Sequence, residues 1–116
     1  MSRPTTAYKV LTQAQMDALE ADGSFAGAPV DLADGYIHLS TAEQLTGTVD
    51  KHFAGQDDLH IVAVDLDALE GAVRWEESRG EQLFPHLYGK LPLDAVVAYS
   101  PLERDDARRV RLPVTG

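Results

Sequence analysis

The segment DGYIHLST, residues 34–41, places an imidazole, a phenol and two hydroxyls in one short run. Side chains alternate between the two faces of a β-strand, so Tyr36, His38 and Ser40 would share one face, opposite the two apolar residues between them. An imidazole beside a phenol can bind a ligand or transfer a proton. The alternative is a structural histidine whose ring is hydrogen-bonded to buried backbone groups.

A second polar group lies in RWEESRG and LFPHLYG, residues 74–80 and 83–89. Alternation puts Arg74 and Glu76 on one strand face, either as a surface ion pair or as groups that hold a phosphate and a ribose hydroxyl. In the second run, proline and glycine fix the backbone around His86, and its aromatic residues could wall a pocket. His86, like His38, could instead be structural.

Several kinds of chemistry lack support in the sequence. The chain has no cysteine, which excludes disulfides, thiolate metal sites and cysteine nucleophiles. The histidines show no H-x-x-x-H or H-E-x-x-H spacing, so we predict no metal site, with metal-dependent hydrolysis by His38 and His86 as the weaker alternative. P-loop, GxGxxG and GxSxG motifs are also missing.

Composition indicates one small domain over residues 1–116. The formal charge of −9 makes duplex nucleic acid an unfavourable partner, and the arginine run over 104–111 indicates a solvated face, with a local basic patch as the alternative. No membrane span or signal peptide is apparent, so we expect a soluble, cytoplasmic protein with no membrane partner. The sequence does not indicate an oligomeric state.

Two helices are predicted in the first half of the chain. Thr12 and Gln15 have capping-box spacing before a helix over 13–21. Ser40 and Glu43 have the same spacing, which predicts Ser40 as the N-cap of a helix over about 41–53. Residues 24–34 show no periodicity and are interpreted as a loop.

Strands are predicted from alternation and from apolar runs. The run at 59–66 is apolar on both faces, as in a central strand. Further strands are predicted at 8–11, 36–40, 73–75, 94–102 and 107–114, the last two as a hairpin; 67–71 is interpreted as a turn and 76–92 as a long irregular stretch. Few crossovers are available, so the expected class is α+β with a mostly antiparallel sheet.

The ordered set DGYIHLSTAEQL, VRWEESRG and FPHLYGKLPLDAV resembles the small bacterial family catalogued as domain of unknown function 952, across nearly the whole chain. That family is similar in fold to the ADP-ribosyltransferases, and YIHLS resembles the HVHLS run of the RNA 2′-phosphotransferases. The resemblance implies a split, twisted sheet with NAD as the cofactor in a cleft. It places His38 and Ser40 at a strand-end site, with Glu76, His86 and Tyr88 at other motif positions.

One position departs from that pattern. Many relatives have histidine after the tyrosine of the first strand, where this chain has Lys9. Lysine can pair with a phosphate as a point charge but cannot stack as imidazole does.

The functional expectation is therefore a cleft that binds NAD or an ADP-ribosyl small molecule, with ADP-ribosyl transfer or glycohydrolysis as the chemistry. Glu76 would supply a carboxylate near the sugar and His86 would move a proton. The residues expected to hold the ligand are Lys9, Tyr36, His38, Ser40, Thr41 and Tyr88. The alternative is a non-catalytic binding or regulatory domain on the same fold. A single site requires His38, Glu76 and His86 to lie within about 12 Å of one another, because catalytic groups must reach one substrate.

Overall fold

A computed structural model describes residues 4–69, 71–78 and 82–114. Its α-helices are α1 (Gln13–Asp22), α2 (Pro29–Asp34) and α3 (Ala42–His52). Its strands are β1 (Thr6–Thr12), β2 (Ser24–Phe25), β3 (Ile37–His38), β4 (Leu59–Asp65), β5 (Val73–Glu77), β6 (Leu83–Leu87), β7 (Leu91–Pro92) and β8 (Val96–Pro101). Two short 3₁₀ turns occupy Leu66–Leu69 and Leu93–Ala95.

The strands form antiparallel sheets, which confirms the α+β class. One sheet has the order β1-β4-β8, a second has the order β3-β6-β5, and β2 pairs with β7. The two larger sheets meet where Tyr8 and Ser40 exchange backbone hydrogen bonds of 2.8 and 2.9 Å. The strand predicted at 59–66 is central, as its two apolar faces require.

Hydrophobic clusters lie on both faces of the β1-β4-β8 sheet. Ala7 and Leu11 of β1 pack in the first cluster, and Tyr8 and Val10 pack in the second. Lys9 lies on the same face of β1 as Ala7 and Leu11, because side chains alternate along a strand. A lysine ammonium therefore enters the side of the sheet that carries the larger core.

The α3 N-cap is Thr41, so the assignment of Ser40 as the cap is wrong. The Thr41 hydroxyl accepts the Gln44 N–H at 3.2 Å, and the Gln44 side chain accepts the Thr41 N–H at 3.0 Å. Ser40 still pairs with Tyr8 through both backbone groups, so the chain leaves the strand only at the next residue. The capping box predicted at Thr12 is confirmed.

A third helix, α2, lies within the segment interpreted as a loop. Pro29 occupies its first turn, where a missing N–H is harmless, and Asp31 accepts the Ala28 N–H at 2.8 Å. Gly35, with a φ of 88°, ends the helix in the left-handed conformation. Six residues give too little periodicity for hydrophobic patterning to reveal such a helix.

The stretch interpreted as irregular over 76–92 contains the end of β5, all of β6 and all of β7, so that interpretation is wrong within the described part. Pro85 lies within β6, where its carbonyl accepts the Leu39 N–H at 3.1 Å. The same interpretation at 79–81 falls outside the described residues.

The C-terminal hairpin forms only in part. Its first strand is β8, but the second is reduced to a single bridge between Arg104 and Val110. The Asp105 carboxylate accepts the N–H groups of Ala107 and Arg109, which holds the backbone in a turn there. None of the helices in the described ranges is long and apolar enough to cross a membrane.

Candidate functional site

One face of the β3-β6-β5 sheet carries the polar residues singled out from the sequence. His38 is in register with His86, and His86 is in register with Arg74 on the other side. Residues two positions away share that face, because side chains alternate along a strand. These additions are Tyr36, Glu76 and Tyr88.

Tyr36 is the aromatic centre of this face. Its ring stacks on His86 with centroids 4.1 Å apart, and it is tilted against His38 at 4.7 Å and against Tyr88 at 5.3 Å. The His38 and His86 rings meet edge to face at 5.5 Å. The rings therefore fix one another in a single rigid group, which we call the histidine cluster (Tyr36, His38, Glu76, His86 and Tyr88).

Glu76 is held at one of its two carboxylate oxygens. Oε1 accepts from the Tyr88 hydroxyl at 2.7 Å and from His86 Nδ1 at 2.8 Å. The hydrogen bond from Tyr88, and after it the one from His86, holds the pKa of Glu76 below its usual range. The side chain is 38% exposed, and Oε2 has no hydrogen bond to any described residue. An ionised, oriented carboxylate oxygen is thus available to a ligand.

The two tyrosines lie in a field of negative charge. The hydrogen bond that Tyr88 donates to Glu76 is the main reason that the pKa of Tyr88 is raised. Burial raises the pKa of Tyr36, and the charges of Asp34 and Glu76 raise it further. The Arg74 guanidinium lies over the Tyr88 ring, 5.1 Å from its centroid, at the edge of the cluster.

Asp31 of α2 joins the cluster to β1. Its carboxylate accepts from the Lys9 ammonium, with N–O distances of 2.9 and 3.1 Å to the two oxygens, and from His38 Nδ1 at 2.6 Å. The backbone N–H groups of His38 and Ala28 donate to the same carboxylate. Both members of the ion pair are buried, with Asp31 1% and Lys9 6% exposed.

These contacts determine the ionisation of the buried pair. Burial by itself raises the pKa of Asp31, but the His38 hydrogen bond, the Lys9 charge and the Ala28 N–H outweigh it and lower the pKa to about 2. Burial lowers the pKa of Lys9, and Asp31 partly offsets this. The ion pair thus has a structural role and anchors α2 beside His38.

Sequence reasoning missed Asp31, although a signal for it was present. Lys9 lies between Ala7 and Leu11 on a core-facing strand. A buried ammonium needs an oppositely charged partner. The chain therefore required a carboxylate near β1, but its position in the sequence could not be read from a helix of six residues.

The sequence-predicted residues divide into two groups. His38, Glu76 and His86 meet within one network, together with Tyr36 and Tyr88, as the single-site hypothesis requires. The other three predicted ligand residues are engaged elsewhere. Lys9 pairs with Asp31, the Ser40 hydroxyl lies 2.8 Å from that of Thr48, and Thr41 caps α3.

The cluster combines partly exposed and buried side chains. His38 is 31% exposed, while His86 is 2% exposed beneath Tyr36. Two open grooves lie elsewhere, near the start of α3, and neither is lined by a cluster residue. Within the described ranges, no three metal-ligating side chains are arranged to hold an ion.

The fold and the site together define a small antiparallel α+β domain with a surface network of histidines and carboxylates. The family model described as "Protein of unknown function (DUF952)" matches residues 10–99, and the chain belongs to that family.

The chain is also similar to solved structures of the protein CC0527 from Caulobacter crescentus. Its X-ray structure gives a TM-score of 0.85 at 44% sequence identity, covering 93% of this chain and 95% of that chain. The solution NMR structure of CC0527 gives a TM-score of 0.77 at 44% identity, covering 92% and 91%. No curated protein matches the chain.

Proposed function

We propose that the histidine cluster binds NAD or an ADP-ribosyl compound and that Glu76 faces the ribose next to the scissile bond. The observation that carries this proposal is the Glu76 carboxylate, which is ionised, half-exposed and fixed through one oxygen by Tyr88 and His86. Ribosyl transfer passes through an oxocarbenium-like cation, which such a carboxylate stabilises. The likeness to ADP-ribosyltransferases that the sequence motifs imply motivates this assignment.

The proposed reaction breaks the bond between C1′ of the ribose and the nicotinamide nitrogen. The bonding electron pair leaves with nicotinamide, and the positive charge moves to the ribose, opposite Glu76 Oε2. Water or an acceptor hydroxyl then adds to C1′, and its proton passes to a base. His86 fits this role because its Nδ1–H is donated to Glu76, which leaves the Nε2 lone pair available.

Nicotinamide release from NAD tests this proposal. We expect turnover by the wild type and a loss of about 100-fold in Glu76→Gln, comparable to the loss of one preorganised electrostatic group. Glu77→Gln is the matched control, because Glu77 is the exposed neighbour on the same strand. Equal turnover in wild type and Glu76→Gln would overturn the mechanism.

A second candidate is a binding domain without catalysis. The groups expected to hold a diphosphate are engaged within the protein, since Lys9 pairs with Asp31, Ser40 contacts Thr48 and Thr41 caps α3. Among the described residues, Arg74 is an exposed cation at the edge of the cluster. Saturable binding of ADP-ribose without NAD turnover would favour this candidate.

A further inference from the structure

The two histidines of the cluster differ in what faces their second ring nitrogen. His38 has a carboxylate at each nitrogen, with Nδ1 2.6 Å from Asp31 and Nε2 3.0 Å from Asp34. Carboxylates only accept, and a neutral imidazole carries a single N–H. The Asp31 contact is a hydrogen bond, and the Asp34 contact is a close ion-pair distance. An unprotonated nitrogen would place its lone pair against carboxylate oxygen, so both contacts are favourable only when His38 carries a proton on each nitrogen.

His86 has a carboxylate at one nitrogen only. Nδ1 lies 2.8 Å from Glu76, and Nε2 has no hydrogen bond to any residue in the described ranges. The ring is almost fully buried against Tyr36. A neutral ring with its proton on Nδ1 satisfies Glu76 and leaves Nε2 as an acceptor.

The two carboxylates at His38 are not equivalent. Asp31 is buried and held by four donors, so it cannot move away without breaking the ion pair with Lys9. Asp34 is 46% exposed and contacts the ring from the end of α2. A ligand can therefore replace Asp34 at Nε2 but cannot replace Asp31 at Nδ1.

Charged and aromatic groups from several elements surround His38. The Asp31 and Asp34 carboxylates of α2 favour a protonated ring, and the Lys9 ammonium on β1 opposes it through Asp31. Tyr36 and His86 contact the ring through their aromatic faces and edges. Two carboxylates against one ammonium leave a net negative charge around His38.

We propose that the two histidines have opposite roles at one site, with His38 as a hydrogen-bond donor through Nε2–H and His86 as an acceptor through Nε2. Asp31, with Lys9 as its counter-ion, is the positioning residue that fixes the His38 ring. The Asp34 carboxylate lies 3.0 Å from this nitrogen and gives way to a ligand oxygen that accepts from Nε2–H. The proposal rests on the proposed function only for the identity of that ligand.

Nitrogen-15 NMR of the histidine rings at neutral pH tests these roles without any ligand. In the wild type we expect protonated-type signals from both His38 nitrogens, and for His86 a protonated Nδ1 with an unprotonated Nε2. In Asp34→Asn, His38 Nε2 should lose its proton while the His86 pattern stays unchanged as an internal reference. Asp22→Asn, an exposed aspartate at the end of α1, is the matched control and should leave both rings unchanged.

Two results would overturn the proposal. One is a single protonated nitrogen on His38 in the wild type, and the other is the same protonation pattern on both histidines. Because Asp34 is exposed, its variant is expected to fold, and the signals of His86 report whether it does. The readout needs no nucleotide, so failure of NAD to bind would refute the proposed function and leave this assignment standing.

Discussion

Replacing Lys9 or Asp31 should destabilise the protein unequally. Asp31→Asn leaves the Lys9 ammonium buried without a carboxylate, and breaking a buried ion pair in this way costs about 3 kcal/mol or more. Lys9→Met should cost less, about 1–2 kcal/mol, because Asp31 keeps the hydrogen bonds from Ala28 and His38. At about 4 °C per kcal/mol, the melting temperature should fall by roughly 12 °C in Asp31→Asn and by roughly 6 °C in Lys9→Met.

The pH dependence of the free energy of unfolding also reports on the contacts of the Asp31 carboxylate. The pKa of Asp31 is lowered from 3.8 to about 2 in the folded protein. At about 1.4 kcal/mol per pKa unit, this lowering corresponds to about 2–3 kcal/mol. Because the folded-state pKa is the lower one, this stability is present above pH 3.8 and is lost as the pH falls through about 2.

Urea unfolding of the single variants and of the Lys9→Met/Asp31→Asn double variant measures these effects. The double variant should lose less than the two single losses combined, by at least about 1 kcal/mol, because it leaves no uncompensated buried charge. Between pH 4 and pH 2, wild-type stability should fall more steeply than that of Asp31→Asn. Additive losses within about 0.5 kcal/mol, or equal pH profiles, would refute the buried ion pair.

Three further perturbations test separate parts of the structure. Thr41→Ala should lower the free energy of unfolding by about 1 kcal/mol in urea denaturation, because it removes the α3 cap, and Thr41→Ser should restore it. In Glu76→Gln, the pKa of Tyr88 should fall toward its ordinary value in an ultraviolet titration; an unchanged value would contradict the contact. Gly47→Ala should stabilise α3 by up to about 1 kcal/mol, because an added Cβ at Gly47 meets open space. A loss of thermal stability in that variant would show that the space is filled.

The polar face could be predicted from the sequence, but its assembly could not. Alternation correctly placed Tyr36 with His38, and Arg74 with Glu76, on single strand faces. The register that brings His86 between His38 and Arg74 joins the neighbouring strands β5 and β6 to β3, which is distant in sequence, and no local pattern specifies it.

The missed elements share a physical cause. Short helices and strands have too few residues for periodicity to appear, as in α2, or they contain residues usually found in turns, as at Pro85 in β6. The Ser40 assignment failed because tertiary pairing with Tyr8 keeps that residue in extended conformation. Tertiary contacts thus determine the secondary structure at positions where local sequence signals are ambiguous.

An NMR titration of the wild type with ADP-ribose tests the ligand site most directly. We expect saturable shifts at the ring signals of His38 and His86 and at Tyr36, and their loss in His38→Ala. Shifts confined to the groove formed by α3 and the C-terminal arginines Arg109 and Arg111, or no saturable shift at all, would contradict the assignment of the histidine cluster as the ligand site.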